Sequence, residues 1–153
     1  MNYLEIQLAT SYADYPSEQQ FQLWVDTVLQ EDDQDSEIVI RLVDDQESAE
    51  LNQQYRHKQG PTNILSFPFE APDGFDTDLL GDLVICTPLI ALEAQQQNKQ
   101  LCDHWAHITI HGVLHLLGYD HIDDAEAEEM EALEIKILSR LNINNPYLEE
   151  STQ

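Results

Sequence analysis

Three histidines with the spacing of metal ligands stand in the segment HGVLHLLGYDH, residues 111–121. On a helix, His111 and His115 are one turn apart, so both imidazoles leave the same face. Gly118 is of the residue type that commonly ends a helix in a left-handed turn, and that turn can bring His121 back toward the other two. Imidazole suits zinc, and three such ligands leave a fourth position open for water. The spacing therefore predicts a catalytic site in which His111, His115 and His121 hold one Zn²⁺ ion.

The neighbouring polar residues are open to more than one interpretation. His107 continues the series, but ligands at 107, 111 and 115 would span about 12 Å of helix, too far for one ion. We interpret His107 as a core histidine or as a residue behind the ligands, and His104 as a core histidine. Asp120 is either a partner that orients a histidine or a turn residue.

The same spacing matches the metzincin proteases, whose pattern places a glutamate directly after the first histidine as general base. Here that position is Gly112, and the helical part of the motif contains no carboxylate. A metal-dependent peptidase or amidase is therefore an alternative, but the glutamate that would act as its general base is missing.

Charge is strongly one-sided, with six Lys and Arg against thirty Asp and Glu and a net charge of −24. Phosphate binding normally needs a basic surface, so DNA is not an expected partner and free RNA should be held weakly. Residues 51–69, with Arg56 and Lys58, and residues 104–119 contain no acid at all. An anion could approach there, although burial alone would also keep these segments free of charge.

The expected cellular location is based on two kinds of segment, transmembrane helices and signal peptides, which the sequence does not show. No run of eighteen apolar residues occurs, and the N-terminal residues do not resemble a signal peptide, so we expect a cytoplasmic protein with no membrane partner. Cys86 and Cys102 are expected to be reduced and buried.

Hydrophobic periodicity and capping signals predict the element order β-α-β-α-β-β-α-α-α. Pro68 marks the third strand as an edge strand or a bent one. The helix of the histidines is apolar nearly all round, which predicts the central, most buried position. We expect one α+β domain over residues 1–153, with about four strands in a mixed sheet, about five helices and frayed residues 145–153. The predicted strands are 3–9, 37–43, 62–69 and 79–86; the predicted helices follow caps at Ser17, Asp44, Thr87, Asp103 and Asp123 and end near 30, 55, 99, 117 and 141.

The segment HGVLHLLGYDH closely resembles the signature of the YbeY family, bacterial single-domain endoribonucleases of ribosomal RNA maturation. Two further stretches, LNQQYRHKQGPTNILSFPFE at 51–70 and LGDLVIC at 80–86, resemble the same family in order and separation. The resemblance covers about residues 37–141. It implies a zinc-type metal on His111, His115 and His121, and it implies that Arg56 is the functionally important arginine in a cleft beside the metal.

The resemblance also implies a ribosome-associated role, with substrates in 16S RNA 3′-end maturation and in ribosome quality control. We therefore expect a single-strand-specific, metal-dependent endoribonuclease that acts on ribosomal RNA in the small subunit, with ribosomal or GTPase assembly proteins as further partners. A 2+ ion and a guanidinium suit the charge that develops on phosphate oxygens. The attacking group, water or the RNA 2′-OH, stays open, and so does the base, for which water activated by the metal, His57 and Asp120 are candidates.

A third hypothesis is a non-catalytic ribosome assembly factor with a structural metal. Structural zinc normally has four protein ligands, so this hypothesis needs a fourth one from Asp, Cys or His, and Cys86 and Cys102 are the cysteine candidates.

Overall fold

The computed structural model describes residues 2–30, 35–70, 78–119 and 123–147. Its element order is the one that the sequence predicts. The strands are β1 (Tyr3–Ala9), β2 (Glu37–Val43), β3 (Ile64–Pro68) and β4 (Leu79–Cys86), and the helices are α1 (Glu18–Leu29), α2 (Asp45–Arg56), α3 (Thr87–Gln96), α4 (Leu101–Leu116) and α5 (Asp124–Arg140).

The four strands form one mixed sheet in the order β1-β2-β4-β3. β1 and β4 run parallel to β2 on either side, and β3 pairs antiparallel with β4. This arrangement confirms the predicted α+β class and the predicted edge position of β3. The Asn63 carbonyl accepts from Cys86 N–H at 2.9 Å, and Phe69 N–H donates to the Leu80 carbonyl at 3.0 Å. Because backbone groups alternate along a strand, those of Ile64 and Ser66 point away from β4, toward the free edge.

The histidine helix α4 is the centre of the molecule, as its apolar composition predicts. It contacts α1, α3 and α5 as well as strands β3 and β4. Trp105, Ile110 and Leu114 on it are almost fully buried. Gly112 lets the helix lie close to the sheet, since a Cβ there would be 2.5 Å from Ile64 Cδ1 and 2.9 Å from Leu83 Cδ2.

Helix starts agree with the sequence where a side chain caps the helix. The predicted cap Ser17 forms a capping box with Gln20 at the start of α1, and Asp123 accepts from the Glu126 N–H at the start of α5. The predicted cap at Asp103 is wrong, because α4 begins at Leu101 after Gln100 and Asp103 lies in its first turn. The cap of α3 is Cys86 rather than Thr87, and that helix ends at Gln96, not near Lys99.

The two cysteines lie in different environments. Cys86 is buried as predicted, and its thiol donates to Asp45 Oδ1 at 3.3 Å. Burial raises the pKa of this thiol to about 12. Cys102 is exposed, contrary to the prediction, and accepts from Gln20 Nε2 at 3.2 Å.

Fraying is predicted for residues 145–153, and the structure describes residues 145–147 of this segment. Within it, the Tyr147 ring packs edge-on against His107 with centroids 5.4 Å apart. Residues 148–153 lie outside the described part of the chain. No described helix is both long enough and apolar enough to span a bilayer.

Candidate active site

His111 and His115 present their Nε2 atoms to each other on one face of α4. The two nitrogens are 3.0 Å apart, and the ring planes meet at 82°. The i, i+4 spacing on a helix produces this convergence directly, since both side chains leave the same face.

The turn after α4 fixes the orientation of His115. Gly118 has a φ of 101°, and its N–H donates to the His115 carbonyl at 3.0 Å. Tyr119 N–H donates to the Leu114 carbonyl at 3.1 Å, which completes a Schellman motif. The Tyr119 carbonyl then accepts from His115 Nδ1–H at 3.0 Å. The helix-ending role predicted for Gly118 is confirmed. In a neutral imidazole that donates through Nδ1, Nε2 is the nitrogen with the lone pair.

A buried carboxylate on α5 orients His111. Glu134 is completely buried, and its Oε1 accepts from His111 Nδ1–H. Its Oε2 accepts from the Tyr147 hydroxyl and, at 3.2 Å, from His107 Nε2–H. His107 and Tyr147 therefore hold the carboxylate that holds His111.

The ionisation of this network follows from its contacts. Burial alone would raise the pKa of Glu134, but hydrogen bonds from His107, His111 and Tyr147 outweigh it and lower the pKa to about 2. Burial lowers the pKa of His107. Burial and the neighbouring Glu134 raise the pKa of Tyr147. At neutral pH the network thus has an ionised carboxylate that accepts hydrogen bonds from its neighbours.

The donor set fits a cation. With both Nδ1 atoms used as donors, His111 and His115 each turn an Nε2 lone pair toward the other. Two lone pairs at 3.0 Å repel unless a proton or a metal ion lies between them. Carbonyl and carboxylate partners behind the imidazoles are the usual second layer of a zinc site.

A cleft of about 760 Å³ opens in front of these histidines. It is bounded by the end of α2, by the edge strand β3, by α4 and by the turn at Gly118. Among the described residues that line it, Arg56 is the one cation and there is no Asp or Glu. The structure thus brings Arg56, His111 and His115 to one cleft.

Buried polar side chains of α2, the helix that carries Arg56, hold the loop that leads from α2 into β3. Ser48 Oγ donates to the Thr62 carbonyl at 2.8 Å and accepts from Thr62 N–H at 3.0 Å. Asn52 Nδ2 donates to the Gly60 carbonyl at 2.9 Å. Arg56 is exposed on the last turn of this helix, and no hydrogen bond or ion pair of its side chain occurs within the described residues.

The remaining predicted residues fall in different places. His104 is a buried core histidine, as predicted. Its Nε2 contacts Glu93 Oε1 at 2.9 Å. His107 lies behind His111, one of the two positions considered for it. His57 caps α2 with a left-handed φ of 57°, and it is not among the described residues that line the cleft.

His121 and Asp120 lie outside the described residues. Within the described ranges, no group of three or more His, Cys, Asp or Glu side chains could hold a metal ion. The third ligand therefore stays a prediction from the sequence.

Glu134 and Tyr147 are the site residues that the sequence analysis missed. A signal for Glu134 was available, because it falls at helical spacing between Met130, Ile137 and Leu138, all buried. A carboxylate on an apolar helix face needs a buried partner. No comparable local pattern marks Tyr147.

Comparison with known proteins gave a consistent result. The family described as Endoribonuclease YbeY matches residues 5–142. The protein named Endoribonuclease YbeY in Colwellia psychrerythraea is 56% identical over 151 residues, which covers 96% of this chain and 97% of the relative. Its namesake in Alteromonas mediterranea is 59% identical over 135 residues, or 88% and 85% of the two chains.

The fold resembles that of a solved bacterial protein. The solution structure of TM1509 from Thermotoga maritima has a TM-score of 0.57 and 21% sequence identity, covering 98% of this chain and 99% of that one. At this identity the likeness concerns the fold alone.

Proposed function

The chain belongs to the endoribonuclease YbeY family, and we propose that it is a metal-dependent endoribonuclease that cleaves single-stranded ribosomal RNA. The observation that carries the proposal is the convergence of His111 and His115 in the same cleft as Arg56. One cleft thus contains donors for a cation and a cation for a phosphate.

His111, His115 and His121 would hold the metal, which we propose to be one Zn²⁺ ion. When bound, such an ion activates water or polarises the scissile phosphate. Glu134 and the Tyr119 carbonyl fix the two described imidazoles in the tautomer that ligation needs.

Besides the metal ion, we assign Arg56 as the catalytic side chain. Its guanidinium is exposed in the cleft and can contact two phosphate oxygens at once. Negative charge builds on the non-bridging oxygens as the phosphodiester is cleaved, and a cation placed there lowers the barrier. Because His57 is not among the described lining residues, the geometry does not favour it as the base.

The net charge of −24 bears on how RNA reaches the cleft. A protein this acidic gains little from the phosphate attraction that normally dominates RNA affinity. We therefore propose that it acts in the cytoplasm on small ribosomal subunits, in 16S RNA 3′-end maturation and quality control. Ribosomal or GTPase assembly proteins would then supply affinity that the chain does not have.

The peptidase alternative is weakened by the environment of Gly112. A Cβ at this position would point into the sheet, 2.5 Å from Ile64 Cδ1. The position that carries the base in metzincins thus faces the core here rather than the cleft. The structural-metal alternative with a cysteine as fourth ligand is weakened because neither Cys86 nor Cys102 is among the described lining residues.

The proposal is tested by cleavage of ribosomal RNA within intact small subunits, with bound metal measured in each preparation. His111→Ala and His115→Ala should lose both metal and cleavage. Arg56→Ala should keep the metal and lose at least tenfold in cleavage rate, as expected for a group that stabilises transition-state charge. Lys58→Ala, which removes an exposed cation two residues away, is the matched control and should cleave normally. Equal cleavage by all variants would mean that a contaminant is responsible.

A further inference from the structure

Tyr55 is an exposed aromatic side chain inside the cleft. It lies beside Arg56 on the last turn of α2, it lines the same cleft, and it is 56% exposed. Its ring contacts Phe67 of β3 with centroids 5.0 Å apart and planes at 69°. Because the contact is edge-to-face, at least one face of the tyrosine ring is not covered by Phe67.

The support under Tyr55 is part of the folded core. Phe67 is partly buried and packs on the small apolar cluster of Val43, Leu65, Val84 and Cys86. Tyr55 itself belongs to neither of the two apolar clusters found among the described residues. Core packing therefore explains why Phe67 is there and does not explain the exposed ring beside it.

The charge of the molecule limits what the cleft can use to hold RNA. Arg56 is the one cation among the described lining residues, and the protein as a whole repels phosphate. Base stacking on an aromatic ring does not depend on a basic surface, and every nucleobase offers a π-face. A base can reach such a ring only when it is not already stacked within a duplex.

We propose that Tyr55, supported by Phe67, is a nucleobase subsite that stacks one base of single-stranded RNA next to the phosphate bound by Arg56. This inference rests on the proposed nuclease function. It identifies a specificity element, because a base that stays in a duplex gains nothing from the subsite.

Steady-state cleavage of short single-stranded oligoribonucleotides by the zinc-loaded protein tests the subsite. Tyr55→Leu keeps an apolar side chain against Phe67 but removes the π-face, and it should raise KM about tenfold with a smaller change in kcat. Tyr55→Phe keeps the ring and should stay within about twofold of the wild type. Tyr3→Leu is the matched control, since Tyr3 is equally exposed at 56% but lies on β1, at the opposite edge of the sheet.

A second measurement assigns the effect to a base. One abasic nucleotide is moved along the oligonucleotide, and at one position it should raise the wild-type KM about as much as Tyr55→Leu does. In the Tyr55→Leu variant the same abasic substrate should raise KM little further, because both changes remove the same contact.

The outcomes separate the two proposals. If Tyr55→Leu behaves like Tyr3→Leu, or if Tyr55→Phe loses as much as Tyr55→Leu, the stacking subsite is overturned while the nuclease function stands. The subsite is also overturned if, at every position of the abasic nucleotide, its effect on KM and the effect of Tyr55→Leu are fully additive. If the wild-type protein cleaves no RNA in oligonucleotides or in subunits, the nuclease function fails and the subsite fails with it.

Discussion

His111 and His115 are oriented by partners of opposite kinds. His115 donates to a neutral carbonyl in its own helix-ending turn, whereas His111 donates to an ionised carboxylate from another helix. A carboxylate behind an imidazole raises the basicity of the ligating nitrogen more than a carbonyl does. His111 should therefore be the stronger ligand of the two.

Changing Glu134 to Gln should lower zinc affinity about 10- to 100-fold, because the variant keeps the shape of the side chain and removes the charge behind His111. Competition with a chelating indicator measures this affinity. Glu93→Gln is the matched control, since Glu93 contacts His104, which we do not assign to the metal. Equal zinc affinity in the two variants would show that Glu134 has only a packing role.

For single residues, the sequence predicted the features that depend on neighbours close in the chain. The spacing of His111 and His115 and the turn at Gly118 depend on one helix and its end, and both were predictable. The contact between His111 and Glu134 joins residues 23 positions apart, so it depends on how α5 packs on α4. No periodicity within either helix specifies that packing.

Among the elements, the start of α2 shows how a tertiary contact replaces a local one. The sequence predicts a cap at Asp44, but Asp44 makes no side-chain cap bond to its own helix. Its carboxylate instead accepts from the Ser11 N–H at 3.0 Å and from the Thr10 hydroxyl, just after β1. Glu47 pairs with Arg41 of β2 at 2.6 Å. Both acids thus join α2 to the sheet.

Asp44 should make stability depend on pH. Hydrogen bonds from Thr10 and Ser11 lower its pKa below 3.8, the ordinary value. A carboxyl whose pKa is lower in the folded state stabilises that state above its unfolded pKa, and this stabilisation is lost as the pH falls through the folded pKa. Asp44→Asn should therefore lower the free energy of unfolding at pH 7, and the difference from the wild type should shrink below about pH 4.

Urea unfolding of the two proteins between pH 7 and pH 3 measures this difference. Thr10→Val removes one donor to the same carboxylate, so it should reproduce part of the effect and add little in the Asp44→Asn background. A difference between wild type and Asp44→Asn that stays constant over this pH range would contradict the assignment.

Most strand and helix positions were predictable because alternation and helical periodicity are properties of short segments. The start of α4 was not, because Asp103 has the residue type of a cap while the helix already begins at Leu101, which packs on the core. The order of the strands was not predictable either. β2 and β4 are neighbours although α2 and β3 come between them in the chain, so their pairing depends on long-range packing.

For the molecule as a whole, the net charge is a constant source of repulsion. With thirty acidic against six basic residues, the folded state brings like charges close together. Salt screens this repulsion, so we expect Tm to rise as NaCl increases from about 20 mM to about 500 mM at pH 7.5.

Thermal unfolding followed by circular dichroism measures this dependence, and pH supplies the control. The sequence pI is about 4.1, so near pH 4 the net charge is small and the same salt series should change Tm much less. A Tm that is unchanged or falls with salt at pH 7.5 would show that self-repulsion does not limit stability.

The outer edge of β3 borders the cleft, and it also affects the solubility of the protein. Among the described residues, no strand lies next to its backbone groups at Ile64 and Ser66, and an open edge of this kind is a template for pairing with a second copy. Pro68 ends the strand and has no N–H to offer, and the strong negative charge of each copy keeps others at a distance. Engineering a more basic surface to improve RNA affinity would therefore weaken the protection against edge-to-edge aggregation.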